Sequence, residues 1–482
     1  MSRGHKNKPD KIFEDVEIID IAEEGKGVGK TDDFVLFVDK AIPGDIADVL
    51  VYRSKKNFGE GKILNLKKPS DHRVQAFCEH FGTCGGCKWQ HMTYAAQLKF
   101  KQKSVSDALT RIAKIDVEGM LPIIASPADK YYRNKLEYTF SNKRWLMDGE
   151  TRPEEPINMD ALGFHIPGRF DKILQVEHCY LQADPSNAIR NSIDEFCKRE
   201  GYSYYDLKQH SGALRNLIIR TSSTGELMVI VVFAYATEEE IDKLMNFVGN
   251  TFLQITSLLY IVNQKKNDTI FDQDVIAFRG PEYIHEQMLA RRSHSDVGEE
   301  FIKFRIGAKS FYQTNSEQAY KLYQVTRDFA GFTGNELVYD LYTGAGTIAN
   351  FIAGQVKEVV GVEYVPSAIE DAKINSAINN ITNTKFYAGD MKDVLLPDFI
   401  AEQGKPDVII TDPPRAGMHP DVVQRLMEVE APKIVYVSCN AATQARDLLV
   451  LKEKYDTVKI QPVDMFPHTQ HVENVVLLVF RD

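Results

Sequence analysis

Two residues near the carboxyl end of this sequence have the chemistry needed to activate a pyrimidine carbon. Cys439 follows the aliphatic run PKIVYVS, and Glu473 stands in HTQHVENVVLLVF, directly ahead of a strongly apolar segment. A thiolate at a strand end is a nucleophile, and a carboxylate partly withdrawn from water is a base. Methylation at a pyrimidine C5 needs both. C5 reacts only after a thiolate has added to C6, and its proton must then be removed so that the sulfur can leave by elimination. Asp412 and Arg415, in PDVIITDPPR, are placed to hold the base edge or orient its developing charge. The bland alternative is a buried core cysteine. It loses weight because Ser438, Cys439 and Asn440 come after the aliphatic run instead of within it. A cytosine C5 reaction shares the thiolate logic, whereas an amino methyltransferase would want an aromatic where Arg415 stands.

A second group of thiols lies far upstream. In CEHFGTCGGCKWQH, Cys78, Cys84 and Cys87 fall at C-x5-C-x2-C, with a Gly-Gly pair that permits a tight turn. Three ligands demand a fourth, and Cys179, Cys197 and Cys439 are the candidates. Zinc and an iron–sulfur cluster both accept sulfur ligation, so spacing does not choose the metal. Unliganded cysteines are the weakest reading of such local clustering, and His80 and His91 stay off the ligand list.

These residues need a scaffold, and from about Ile306 onward the chain alternates apolar strands with more polar helical segments, as in a doubly wound sheet. The strand ELVYDL leads through Tyr342 into Gly344, Ala345 and Gly346. This G-x-G is weak support for a dinucleotide site because the full G-x-G-x-x-G is absent. The following strands end at Glu363, where an acid receives ribose hydroxyls, at Asp390, and at Asp412, so three acids line one crevice. Asp340 is placed to orient the glycine turn or meet a charged ligand tail.

The amino-terminal part reads as a small barrel. From Lys11 to about Pro69, β-favouring runs such as Phe34 to Val38 and Ile46 to Tyr52 alternate with GKGVGK and PGD turns. Residues 53–68 carry six cations against Glu60, which is either a phosphate-binding surface or a solvated edge that blunts strand pairing. Basic residues recur near Tyr131, Tyr132 and Tyr138. Aromatics in a β-rich segment are more often core than platform, so none of these is assigned to a site.

The 482 residues suggest two or three domains, and a net charge of -10 is the wrong overall sign for a nonspecific polyanion binder, so any nucleic-acid contact must rest on local charge. No apolar stretch spans a bilayer and the first residues lack a secretory pattern, which makes the cytoplasm the expected compartment.

Four segments in order, CEHFGTCGGCKWQH, KSFYQTNSEQ, DLYTGAGTIA with TDPPRAG, and VSCN followed by HVEN, resemble the RNA uracil-5-methyltransferase family, specifically its iron–sulfur-containing 23S ribosomal RNA branch. The resemblance covers nearly the whole chain. It implies an α/β protein with a Rossmann-like methyltransferase domain at 306–482, an N-terminal TRAM-type β-barrel at 9–69, and a central α+β RNA-binding region at 70–305. The helix at about 92–120 is expected to pack with the catalytic domain. The resemblance further implies S-adenosylmethionine contacts at Gln313, Tyr342, Glu363 and Asp412, a nucleophile at Cys439, a base at Glu473, and a [4Fe-4S] cluster on Cys78, Cys84, Cys87 and Cys179. The family's Phe-Cys before the glycine turn is Tyr342-Thr343 here. The expected substrate is uracil C5 in 23S ribosomal RNA, with transfer RNA as the nearest alternative and no obligate protein partner. A noncatalytic RNA-binding module would leave Glu363, Asp412, Cys439 and Glu473 without a purpose, and a dehydrogenase would leave the thiols idle. The polar stretch 142–160 and the charged stretch 280–300 read as surface connections.

Overall fold

The computed structural model describes residues 11–481 apart from 23, 32–33, 148–149, 151–156, 292–297 and 299. It divides into two compact units, Met1–Ser104 with Phe466–His471, and Val105–Met465 with Val472–Asp482.

In the first unit, strands Lys11–Ile21, Gly27–Thr31, Phe34–Asp39, Ile46–Ser54 and Phe58–Lys68 close into a barrel. Alternation buries Ala47, Val49 and Val51 along one strand, and Val49 and Val51 pack with Val16, Ile18, Leu36 and Val38. Phe58–Lys68 pairs on both sides, parallel to Phe34–Asp39 and antiparallel to Ile46–Ser54, so the reading of residues 53–68 as a solvated edge falls. Closure leaves no edge to blunt. Part of the local charge is also answered from within the barrel. Lys67 meets Asp15 at 2.8 Å and Asp48 at 2.9 Å, and Arg53 meets Glu60 at 2.8 Å.

The cysteine loop follows on irregular backbone before the helix Tyr94–Ala108. Gln97 on that helix is fully buried. Its amide nitrogen reaches Trp89 O and Met92 O at 3.0 Å, and its oxygen accepts from His468 N at 2.8 Å. Lys88 N and Trp89 N donate to His468 O at 2.8 and 3.0 Å. The segment just ahead of Glu473 is therefore folded into the first unit.

In the second unit the helix runs on through a π-turn, Leu109–Ala113, which ends at Lys114 in left-handed conformation. Val105, Leu109 and Ala113 are fully buried in one core with Leu341, Ile409, Tyr436 and Leu478. An eight-stranded sheet follows in the order Ile276–Arg279, Ser257–Val262, Leu227–Phe233, Leu214–Thr221, Lys135–Ser141, Ala161–Ile166, Arg169–Gln175 and Arg144–Trp145.

The stretch 280–300 is not a surface connection where it is described. Tyr283–Ala290 pairs along its whole length with Glu300–Gly307, and its side chains alternate in burial. The alternation is hard to read from sequence because Glu286 occupies an inward position, where it accepts from Ser223 Oγ at 2.7 Å and Ser316 Oγ at 3.0 Å. A domain boundary at 306 would cut this hairpin. Residues 292–297 and 299, and 148–149 and 151–156 of the other polar stretch, lie outside the described residues.

The last sheet has the order Thr384–Ala388, Glu358–Glu363, Leu337–Leu341, Val408–Thr411, Lys433–Ser438, Glu473–Phe480 and Tyr455–Val463. The first five strands are parallel, Glu473–Phe480 runs against them, and Tyr455–Val463, antiparallel to Glu473–Phe480, runs with them again. After Leu337–Leu341 the chain builds outward on one side, then returns to start the other side at Val408–Thr411. Ligand crevices of open α/β sheets form at such a reversal, beyond the carboxyl ends of the strands. Among the described residues no helix is long and apolar enough to cross a membrane.

Candidate active site

The glycine turn opens the crevice. Tyr342, Gly344 and Gly346 all take left-handed φ values, of 62°, 55° and 73°. Such a value is uncommon for tyrosine and is held here by the surrounding structure. Thr343 N donates to Val362 O at 3.1 Å. Glu363 ties the turn to the neighbouring strand end, its two oxygens accepting from Gly344 N at 3.2 Å and Val365 N at 2.9 Å. Each carboxylate oxygen keeps a further lone pair. A Cβ added at Gly344 would meet nothing within 4 Å, whereas one at Gly346 would strike Ala372 Cβ at 2.9 Å. The turn is therefore open on its Gly344 side and packed at the helix start.

Behind the turn stands a line of acids, with Asp340 and Glu473 buried and Asp412 partly exposed. Asp340 is 1% exposed; its Oδ2 accepts from Thr343 Oγ1 at 2.5 Å, and its Oδ1 has no hydrogen-bond partner. Burial pushes its carboxyl up to about 7, with the Glu363 charge adding to the rise and the Thr343 hydroxyl opposing it. Leu341 and Thr411 are register partners, which brings Asp412 beside this turn. Asp412 is pushed up to about 7 by burial and then by Asp340. Glu473, 4% exposed, is pushed up to about 8 by burial and then by Asp412, with Arg415 pulling the other way. Tyr323 lies within the field of Asp412, Asp340 and Glu473, and its hydroxyl meets Thr347 Oγ1 at 3.1 Å.

Cys439 completes the line. Antiparallel pairing ends at Ser438↔Asn474, so Cys439 leaves its strand where Glu473 begins the neighbouring one, and the Glu473 charge bears on the thiol. The thiol is half-buried. Burial first, then Glu473 and Asp412, push it up to about 11, against the opposing charge of Arg415. The residues on either side fix its turn. Asn440 N donates to Ser438 Oγ at 3.2 Å, and Asn440 Oδ1 caps the helix Ala441–Leu451 through Ala442 N at 3.0 Å. Gln444 braces the two strands, its Nε2 donating to Tyr436 O at 3.0 Å and Asn474 O at 3.2 Å. Thr443 Oγ1 holds Arg415 O at 3.2 Å, and Asp447 accepts from Met418 N at 2.9 Å, which fixes the loop after Asp412.

Cys439, Glu473, Asp412, Glu363 and Tyr342 are thus gathered along one rim. Asp390, the third expected strand-end acid, caps a short helix through Lys392 N at 3.2 Å and also bears on Tyr342. Gln313 lies in the segment between Glu300–Gly307 and the helix Ser316–Ala330. Its carbonyl accepts from Asn134 Nδ2 at 2.9 Å, and the same nitrogen meets Ser316 Oγ at 2.8 Å. Asn315 caps the helix Ser316–Ala330 that carries Tyr323, and its amide donates to Met465 O at 3.0 Å.

Asn440 was not singled out as a helix cap, although an Asn between an aliphatic run and a helical segment is the signal that could have found it. Nothing in the sequence signalled Gln444, Tyr323 or Asn134, because their partners are more than ten residues away or are backbone groups.

The four expected metal ligands divide between the two units, Cys78, Cys84 and Cys87 in the first and Cys179 in the second. Among the described residues no group of three or more His, Cys, Asp and Glu side chains is arranged to hold a metal. In the loop, Gly86 N points at Cys84 Sγ at 3.4 Å, a bond that favours a thiolate. Cys179 is buried, its backbone held by Asn187 through bonds of 2.8 and 3.2 Å. Cys197 is a fully buried helix residue.

Comparison with known proteins agrees with this arrangement. A family profile described as tRNA (Uracil-5-)-methyltransferase matches residues 282–481, and a TRAM domain profile matches residues 14–64. A protein from Bacteroides thetaiotaomicron described as an uncharacterized RNA methyltransferase is 54% identical over 465 residues, covering 96% of this chain and all of that protein. One of the same description from Porphyromonas gingivalis is 54% identical over 475 residues, covering 96% of this chain and 99% of that one. Among solved structures, the Pyrococcus abyssi tRNA (uracil-54, C5)-methyltransferase in complex with S-adenosyl-L-homocysteine is 28% identical, with a TM-score of 0.73, 96% of this chain and 99% of that chain covered. A barrel matched by the TRAM profile, a doubly wound sheet with its acids and thiol at one rim, and similarity over nearly the full length converge: the chain belongs to the RNA methyltransferases of the tRNA (uracil-5-)-methyltransferase family.

Proposed function

We propose that this protein methylates uracil C5 in RNA, with S-adenosylmethionine as donor and Cys439 as a covalent nucleophile. The observation that carries the reading is that Cys439 and Glu473 stand at the adjoining ends of two paired strands, with Glu473 bearing on the thiol and Asp412 and Arg415 acting on both. The donor supplies an electrophilic methyl group. The residues suited to hold it are Glu363 for ribose hydroxyls, Asp340 through its buried Oδ1 for the cationic tail, and Gln313, Tyr342 and Asp412 around them. The orphan acceptor and the open face at Gly344 fit such a ligand.

Cys439 gives up its thiol proton as Sγ bonds to C6, and the C5=C6 electrons move into the ring as an enolate. C5 takes the methyl group, so it carries both its proton and the new substituent. Glu473 removes that proton, C5=C6 re-forms and the Sγ–C6 bond breaks. The sum is uracil plus sulfonium giving 5-methyluracil, thioether and one proton. Arg415 offsets the negative charge gathered by these steps. Mass mapping of ribosomal and transfer RNA after incubation with enzyme and donor is expected to place the added methyl on uracil C5. A methyl on nitrogen, ribose or cytosine would overturn the reaction assignment.

The proposed substrate class is 23S ribosomal RNA. It rests on the cysteine-bearing segment and its resemblance, and the same mapping compares it with transfer RNA. The reading extends to a [4Fe-4S] cluster held by Cys78, Cys84, Cys87 and Cys179, whose all-thiol donor set and Cys84 amide bond suit thiolate ligation. Such a cluster would order the loop and take no part in methyl transfer. Anaerobically purified protein is expected to contain iron and acid-labile sulfide in equal amounts. Zinc without sulfide, or neither metal, would remove the cluster from the reading.

A further inference from the structure

The tyrosines near residue 131 separate sharply in three dimensions. Tyr138 is fully buried and Tyr132 is 9% exposed, so both serve the core, whereas Tyr131 is 44% exposed. Tyr131 also has a left-handed φ of 57°. Its loop is nevertheless fixed, with Tyr131 N donating to Tyr180 O at 2.7 Å and Arg133 N to Leu181 O at 2.8 Å. The outward ring belongs to a group of three. Tyr131 lies 6.3 Å from His178 and 6.0 Å from Tyr180 between centroids, and His178 and Tyr180 are 4.4 Å apart. The Tyr131 hydroxyl meets His178 Nε2 at 3.2 Å. Cations flank the group: Lys130 Nζ is 5.7 Å from the Tyr180 ring, and Arg133 follows two residues after Tyr131 on the chain.

Rings on a fixed frame beside cations bind unpaired nucleobases by their faces and the adjoining phosphates by charge. Bases inside a duplex offer no such face. We propose that Tyr131, His178 and Tyr180 form a stacking platform for an unpaired base of the substrate RNA, with Lys130 and Arg133 holding its backbone. The inference deepens the uracil-methylation reading and rests on it for the identity of the ligand. Its position is specific, because the next residue, Asn134, donates to Thr314 O at 2.7 Å and to Gln313 O at 2.9 Å. The loop that carries Tyr131 is therefore hydrogen-bonded to the Gln313 segment. A target uridine drawn out of its stack leaves neighbouring bases that need a new surface.

The test is fluorescence anisotropy with a labelled RNA hairpin whose loop contains unpaired uridines, run beside a blunt RNA duplex. Tyr131→Asn removes the ring and keeps a residue that tolerates left-handed backbone. It is expected to raise the hairpin Kd about tenfold, within the range for loss of one base–aromatic stack. Duplex binding, and the dependence of log Kd on log salt, should stay unchanged because no charge is removed. Tyr131→Phe should bind like the wild type. If Tyr131→Asn melts early, Tyr131→Gly, which accepts any φ, gives the same reading. Unchanged hairpin binding, an equal loss on duplex, or an equal loss in Tyr131→Phe would each overturn the platform. Methylation of the hairpin by wild-type protein is followed in parallel. Binding loss without uracil methylation would sink the reaction reading and leave the platform standing. Methylation without binding loss would do the reverse.

Discussion

Replacing Cys439 by alanine is expected to abolish uracil methylation, lowering turnover about a thousandfold or more, as when other covalent enzymes lose their nucleophile. Serine should fail almost as badly, since a hydroxyl is far harder to ionise than the thiol it replaces. That thiol already sits in an unfavourable field, pushed up to about 11 by burial and the neighbouring carboxyls. Affinity for S-adenosylhomocysteine, measured by calorimetry, should be unchanged in both variants, because the proposed donor contacts lie on other strands. Retention of methyl transfer in Cys439→Ala would end the covalent mechanism. Loss of homocysteine-analogue binding together with activity would show that the cysteine matters for the shape of the crevice instead.

The second large effect belongs to Glu473. Glu473→Gln keeps the size of the side chain and its hydrogen-bonding edge but cannot accept the C5 proton. Addition and methyl transfer should proceed while elimination stalls, so a covalent protein–RNA species should accumulate on denaturing gels as turnover falls about a hundredfold or more, the usual scale of general-base loss. The pH dependence gives an independent check. Glu473 is pushed up to about 8 and must be ionised to remove the C5 proton after methyl transfer, so wild-type kcat is expected to rise as pH increases from 6 to about 8. Because Glu473 acts together with Asp412, that limb belongs to the pair. Glu473→Gln should flatten it. A variant with normal turnover and no adduct would remove Glu473 from the role of base.

The geometry also explains why these acids cost stability. Asp340, Asp412 and Glu473 have folded-state pKa values raised above those of an unfolded chain, so the folded form binds more protons at intermediate pH. Stability from these groups is present at acidic pH and is lost as pH rises from about 4 towards 8. Retaining three such groups on one rim is understandable where a proton must be held and passed on.

Much of this site was legible from local pattern. The aliphatic runs before Glu363, Asp412 and Cys439 marked strands, and in an open α/β sheet strand ends meet at one crevice, so the acids and the thiol could be assigned to one rim without knowing the strand order. The barrel was visible in short β-favouring runs broken by glycine and proline turns. Chemistry that depends on residue type, a thiol with a base, was readable for the same reason: it is a property of side chains, not of their neighbours.

Other features depended on distant pairing. That Cys439 comes close to Glu473 follows from the pairing of Lys433–Ser438 with the antiparallel strand Glu473–Phe480, which no local signal encodes. The burial of Glu286 concealed a strand that looked like a charged loop, because its partners Ser223 and Ser316 lie far away in the chain. The barrel's closure removed the edge suggested by residues 53–68 and paired some of their charge. Tyr131, Tyr132 and Tyr138 look alike in sequence, and only packing turned two inward and left the first beside His178 and Tyr180. The amino-acid order on its own determined which groups can do chemistry and which strands end near them, since both follow from side-chain type and periodicity. Tertiary structure decided which of those groups meet and how far their charges are removed from water, because burial and pairing are set by residues distant along the chain.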